Sequence, residues 1–347
     1  MLTCRRRRSA LFGLVIVAAA VFAAVSPGVA SASTDLGPIG FGTIVVDDAH
    51  AQVLVSGPSA NVVDVLDVAG NVVRTIPNMY GAWGMVVSGR YLYVAESTAG
   101  AIVRVDLAAP ASAPTTLAKG LFQPRWLVLT GGKLWTTVAS PSMSGWGSIA
   151  SVDLKSGKLT TFSQTYYSPD LAVSPALAST LFLAEDGLSP GAVFRIDVSS
   201  AKPKVKASNT FTDQQNIEDL AVSPDGTRVI PASGYPYFFE ELGASTLQPD
   251  GLVYPGNPYP SAVAVSPGRS GLLATGLDNG YSSPDIAVYP LGSPSPIFTA
   301  TTMNSSGTAN IRPHGLALSL DGSTLFAVSA NDVYGTETVV DAFALPQ

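Results

Sequence analysis

The chain has 347 residues, 13% of them charged, a formal net charge of −6 and one cysteine, Cys4. An acidic, base-poor surface lacks the positive footprint that nucleic acids and anionic lipids require. A lone cysteine excludes disulfide frameworks and thiolate metal centres, while a chain of this length with 46% hydrophobic residues can build a core without such staples.

The N-terminus reads as a secretory leader. Arg5, Arg6, Arg7 and Arg8 precede an apolar stretch from Ala10 to Val25, and Ala30-Ser31-Ala32 supplies the small-x-small pattern of a cleavage site. The apolar stretch, about 16 residues, falls short of the ~20 that span a bilayer. Residues 1–32 are therefore expected to be a signal peptide, exported by the general or the twin-arginine route. Residues 33–347 then form a single secreted, monomeric domain that is not embedded in a membrane. Loss of four arginines takes its net charge from −6 to −10.

From residue 44 onward one phrase recurs. Its first strands are Ile44–Asp47, Met85–Ser88, Leu127–Thr130, Leu171–Ser174, Leu220–Ser223, Val263–Ser266 and Leu316–Ser319, spaced 41, 42, 44, 49, 43 and 53 residues apart. A tight turn follows each, as in "SPDG" at Ser223–Gly226 and "SLDG" at Ser319–Gly322. A second apolar strand comes next ("YLYVA", Tyr91–Ala95), then a third ending in aspartate plus an aliphatic ("IVRVDL", Ile102–Leu107). Units of about 45 residues with several short strands predict propeller blades. The strands read as continuous apolar runs, as expected for sheets buried on both faces. The gaps are too short for crossover helices. The expected fold is all-β: a seven-bladed β-propeller of four-stranded antiparallel blades. Its last unit lacks a fourth strand, which Leu36–Thr43 is expected to supply, closing the ring through the two ends of the chain.

"LAVSPDGTRVIPAS" at Leu220–Ser233 resembles the YVTN-type repeat of secreted seven-bladed propellers, and Leu316–Ser329 resembles it too. "GGKLWTTV" at Gly131–Val138 is similar to NHL-like and streptogramin-lyase-like blades, and "RPHGLALSLDG" at Arg312–Gly322 to the histidine-containing blade of lactonase propellers.

Propeller geometry projects the residues ahead of each first strand, and those after each second strand, onto one face of the ring. That mouth gathers Trp83, Arg125, Trp126, Asp170, Glu218, Asp219 and His314 as candidate ligand-binding residues. Oxygen donors from several blades suggest a divalent cation, calcium, on Asp170, Asp219, Glu96 and Asp278, although no calcium-loop spacing is present and no cofactor is required. The leading expectation is a non-catalytic binding or scaffold propeller for an unknown protein or small-molecule ligand. The alternative, implied by the lactonase resemblance, is a hydrolase of lactones or sugar acids with His314 as general base and Arg125 or Arg312 polarising the carbonyl. "YPYFFEE" (Tyr235–Glu241) and the loop Thr299–Pro313 are further candidate binding surfaces.

Overall fold

Short apolar runs rich in Val, Ile and Leu, each stopped by a turn and sent back antiparallel, leave the chain little choice but a series of small meanders. In the computed structural model, which describes residues 27–210, 215–268, 271–278, 284–304, 307–308, 310–330 and 337–346, they form a seven-bladed β-propeller. Its innermost strands are Ile44–Asp47, Ala82–Ser88, Pro124–Thr130, Pro169–Ala172, Gln215–Val222, Pro260–Val265 and Asn310–Leu318 for blades 1 to 7. Each blade is a four-stranded antiparallel sheet, and blade 3 gains a two-residue fifth strand, Tyr166–Tyr167. The helical content among the described residues is one 3-10 turn, Asp48–His50. His50, in that turn, is hydrogen-bonded through Nδ1 to Asp47 Oδ2 at 2.7 Å.

The turns follow from their side chains. In blade 5 Asp225 accepts the Ser223 hydroxyl at 2.5 Å and the Thr227 amide at 3.0 Å, and Gly226 takes the positive φ of 72° that closes the turn. The aspartates ending third strands serve the next turn in the same way. Asp67 accepts the amides of Ala69 and Asn71, Asp153 those of Lys155 and Ser156, and Asp197 that of Ser199.

Alternate residues of each blade pack against opposite neighbours, so the core lies between blades. Seven apolar clusters fill the seven junctions. In blade 1, Leu54 joins Met79 and Leu92 toward blade 2, whereas Val53 and Val55 join Phe326 and Val340 toward blade 7. This two-sided burial is the physical reason for the unbroken apolar runs.

Blade 7 closes as expected from the chain ends, but with a different segment. Ala32–Asp35, and not Leu36–Thr43, pairs with Thr338–Ala344, in register from Ala32↔Ala342 to Asp35↔Val339. Leu36–Thr43 holds Pro38, which has no amide to donate, and Gly37 and Gly40 at φ 72° and 64°, so it crosses to blade 1 as irregular chain. Residues ahead of the expected cleavage point also belong to the fold. The Gly28 amide donates to the Thr299 carbonyl at 2.6 Å, the Ser31 amide to the Ala342 carbonyl at 2.7 Å, and Ala30 packs on the blade 6–7 core. Residues 1–26, which hold most of the expected leader, lie outside the described residues.

Candidate functional site

In blades 2, 3, 5, 6 and 7 the positions expected in loops before the first strands lie inside longer strands, at β-bulges. The register slips by one residue in blades 2, 3, 5 and 6. In blade 7 it slips by three, since the four residues between Ile311 and Leu316 face one, Val328, between Ser329 and Ala327. A bulge re-aims the side chains it carries. The large one in blade 7 puts His314 in the left-handed region, at φ 56°, and delivers its ring to carboxylates from two other blades.

Asp219 is the centre of this junction. Its Oδ1 accepts the Leu220 amide at 2.7 Å and faces His314 Nδ1 at 3.0 Å. Its Oδ2 accepts the amides of Val263 at 2.9 Å and His314 at 3.1 Å. One buried carboxylate thus ties blades 5, 6 and 7. On the other side of the ring Asp170 of blade 4 presents Oδ2 at 3.5 Å from His314 Nε2. Both atoms are buried and make no hydrogen bond, so the contact is an ion pair of slightly loose geometry. Trp126 of blade 3 covers the imidazole with ring centroids 3.8 Å apart; Trp83 of blade 2 meets Trp126 edge-on at 6.1 Å, and the Arg125 guanidinium lies over Trp83 at 4.6 Å. Gly84 permits this packing, because a Cβ there would stand 2.4 Å from the Arg125 carbonyl oxygen.

The electrostatics follow from burial beside like and unlike charges. Burial opposes a charge on His314, but Asp170 and Asp219 more than offset it, and the imidazole pKa is pushed up to about 9. Asp170 is raised by burial and by Asp219, against the pull of His314. Farther out, burial lifts Asp186 to about 6, opposed by His314, and lifts Glu218 to about 7 with help from Asp278 and Asp186. Burial also raises Asp278, against Arg312. Asn216 donates to Glu218 at 2.7 Å and holds it in place.

Of the expected residues, then, Asp170, Asp219, His314 and Trp126 are in contact, Trp83 and Arg125 adjoin them, and Glu218 and Asp278 belong to an acidic rim. The proposed cation set is corrected. Among the described residues Asp170, Asp219 and His314 are the group of potential ligands within 4.8 Å of one another, and Glu96 and Asp278 stand apart from it. Glu96 instead accepts the Tyr80 amide at 3.0 Å, as Glu185 does that of Tyr167 at 2.9 Å, so both fasten the approach to a first strand. The clustered trio fits calcium poorly. Calcium takes six to eight oxygens, whereas Asp219 is saturated by four N–H donors and the third member is an imidazole. Asn279, Asn331 and Asp332, which the repeat places after the second strands of blades 6 and 7 and so on the same face, lie outside the described residues.

Beside Trp126 opens a cleft of about 500 Å³, on the same face. Its walls are the strand start Phe122–Trp126, the loop from Ala139 to Gly147 and Ser168-Pro169 of blade 4. The loop is held by its own hydrogen bonds: Ser140 Oγ accepts the amides of Ser142 and Met143, the Ser140 amide donates to the Trp146 carbonyl, and the Ser168 amide donates to the Gly145 carbonyl. Phe122, Met143 and Trp146 are exposed on it. Sequence reasoning missed this cleft. The signal it could have used is Trp146, an indole stranded in a Ser- and Gly-rich loop. Tyr235 and Tyr237 are exposed as anticipated, edge to face at 5.7 Å, and Phe239 is core.

Fold and face together define a seven-bladed β-propeller with an aromatic, partly charged mouth. No family model and no curated protein sequence matches the chain. Among solved structures it is similar to a chain of Kuenenia stuttgartiensis hydrazine synthase, at a TM-score of 0.64 and 16% identity, covering 94% of this chain and 99% of that one. At that identity the likeness is one of fold.

Proposed function

We propose that this protein is a secreted, non-catalytic binding propeller of the YVTN-like kind, which holds its ligand on the mouth face at blades 3 and 4. The observation that carries the reading is the lining of the cleft beside Trp126. It has a guanidinium, two indoles, hydroxyls and an amide, but no Asp, Glu, His, Lys or Cys. A preorganised, partly apolar hollow of this size is suited to holding a small ligand, and one without a general base or an activated nucleophile holds it unchanged. Secretion is supported by Arg5–Arg8 and the apolar stretch that follows them.

The lactonase alternative is weakened by the surroundings of His314. An imidazole roofed by Trp126, set between Asp170 and Asp219 and pushed up to about 9, keeps its proton at neutral pH and cannot take one from water. The perturbed carboxylates of the rim, Glu218 above all, are what an enzyme would use instead. The test is hydrolysis of a panel of γ- and δ-lactones by the purified protein between pH 6 and 8. No turnover is expected. Turnover that disappears in Glu218→Gln while the fold persists would replace this reading with a hydrolase.

A further inference from the structure

The cleft beside Trp126 is set apart by its charge. The chain is acidic and the adjoining rim carries Asp186, Glu218 and Asp278, yet the lining of the cleft holds one ionisable side chain, Arg125. Among the described residues Arg125 has no carboxylate within ion-pair distance, and its guanidinium is oriented by the face of Trp83. Asp186 is near enough to feel this charge but does not contact it, so the exposed, oriented guanidinium keeps its N–H donors for an incoming anion. Trp146 supplies a second element. Trp146 is 39% exposed, lines the cleft and meets Tyr167 in a T-shaped contact at 5.9 Å, so it offers an apolar ring to a ligand. The third element is polar: Thr137, Ser142, Ser144 and Gln123 share the lining with these two.

These elements select a ligand class. The carboxylate goes to Arg125 and a ring with an apolar face lies on Trp146. Thr137 and Ser142 already bond the Trp126 amide and Ser140, so Gln123 and Ser144 are the groups left to meet hydroxyls on that ring, which a bare arene would not offer. We propose that the cleft binds a short uronate-bearing oligosaccharide, with its carboxylate on Arg125 and one sugar ring stacked on Trp146. The proposal rests on the binding reading above and narrows it to one site and one chemistry. The acidic rim completes the selectivity, since it repels a polyanion that would otherwise extend into the channel.

Calorimetric and tryptophan-fluorescence titration of the purified protein tests it with four probes: digalacturonic acid, its dimethyl ester, cellobiose and phenylacetate. Saturable binding of digalacturonic acid is expected, weakened ~10- to 100-fold in the ester and in Arg125→Leu, as loss of a charged hydrogen-bonded pair implies, and about tenfold in Trp146→Ala. Both side chains are at the surface, so unchanged near-UV dichroism will show that the variants are folded. Equal binding of the ester or of cellobiose, or tighter binding of phenylacetate, overturns the uronate assignment and leaves the binding function standing. No binding of any probe overturns the assignment as well, and the lactone panel then decides separately between binding module and hydrolase.

Discussion

Replacing Asp219 by asparagine should loosen the whole ring, and its cost can be worked from the contacts. Each carboxylate oxygen receives two N–H groups: Leu220 and His314 Nδ1 on Oδ1, Val263 and the His314 amide on Oδ2. Whichever way an asparagine amide is turned, its NH2 faces two donors and leaves them unpaired. Two buried unpaired donors cost roughly 2–6 kcal/mol. Removing one partner of a buried ion pair costs roughly 3–5 kcal/mol, much of it for the same lost contacts. An overall loss of about 4 kcal/mol is therefore expected. With an unfolding entropy near 2.1 cal/mol/K per residue over the 300 described residues, this lowers the thermal midpoint by about 6 °C. Scanning calorimetry at pH 7 measures it, with Asp225→Asn, in an exposed turn, as the comparison expected to fall by less than about 2 °C. A drop no larger for Asp219→Asn than for Asp225→Asn would refute the idea that this carboxylate fastens blades 5, 6 and 7.

The pH dependence has a definite sign. Asp186, Glu218 and His314 are all raised in the folded state, to about 6, 7 and 9, so the native protein holds protons that the unfolded chain has released. Their stabilising contribution is present below the unfolded values and is lost as pH rises from about 4 through 9, at about 1.4 kcal/mol per pH unit for each proton in its own window. Asp197, held down to about 2 by Ser199, acts oppositely and favours the fold above about pH 4. Maximum stability is thus expected near pH 4–6, and a thermal midpoint that climbs steadily from pH 5 to 9 would contradict it. A chain starting at Ser33 should melt about 2–4 °C below one starting at Pro27, because it loses the Gly28 and Ser31 bonds to blades 6 and 7; equal midpoints would make residues 27–32 dispensable. Gly84→Ala, with its Cβ 2.4 Å from the Arg125 carbonyl, should cost about 1–3 kcal/mol and shift the tryptophan emission, as Trp83 and Trp126 part. Wild-type emission in that variant would show that the two blades yield elsewhere.

The sequence by itself determined the blades. A period near 45 residues, apolar runs long enough for one strand and turns written as Ser-Pro-Asp-Gly are local chemistry, and local chemistry is enough to make a meander. Burial between neighbouring blades then follows from those runs, and so does the sector of the ring in which each candidate falls, because the period assigns Asp170, Asp219 and His314 to blades 4, 5 and 7. Tertiary structure decided what these residues do. The three-residue bulge that carries His314 across the ring exists only in the pairing of Asn310–Leu318 with Thr324–Ala330. Spacing along one strand cannot report a register slip against another. It likewise decided that Ala32–Asp35 closes the ring, a choice made by which segment keeps its amides free to donate. It also decided that Glu96 serves a backbone amide and that Arg125, Trp126 and Trp146 share one cleft. These outcomes depend on contacts between residues far apart in the chain, and a repeat pattern carries no information about where such partners meet.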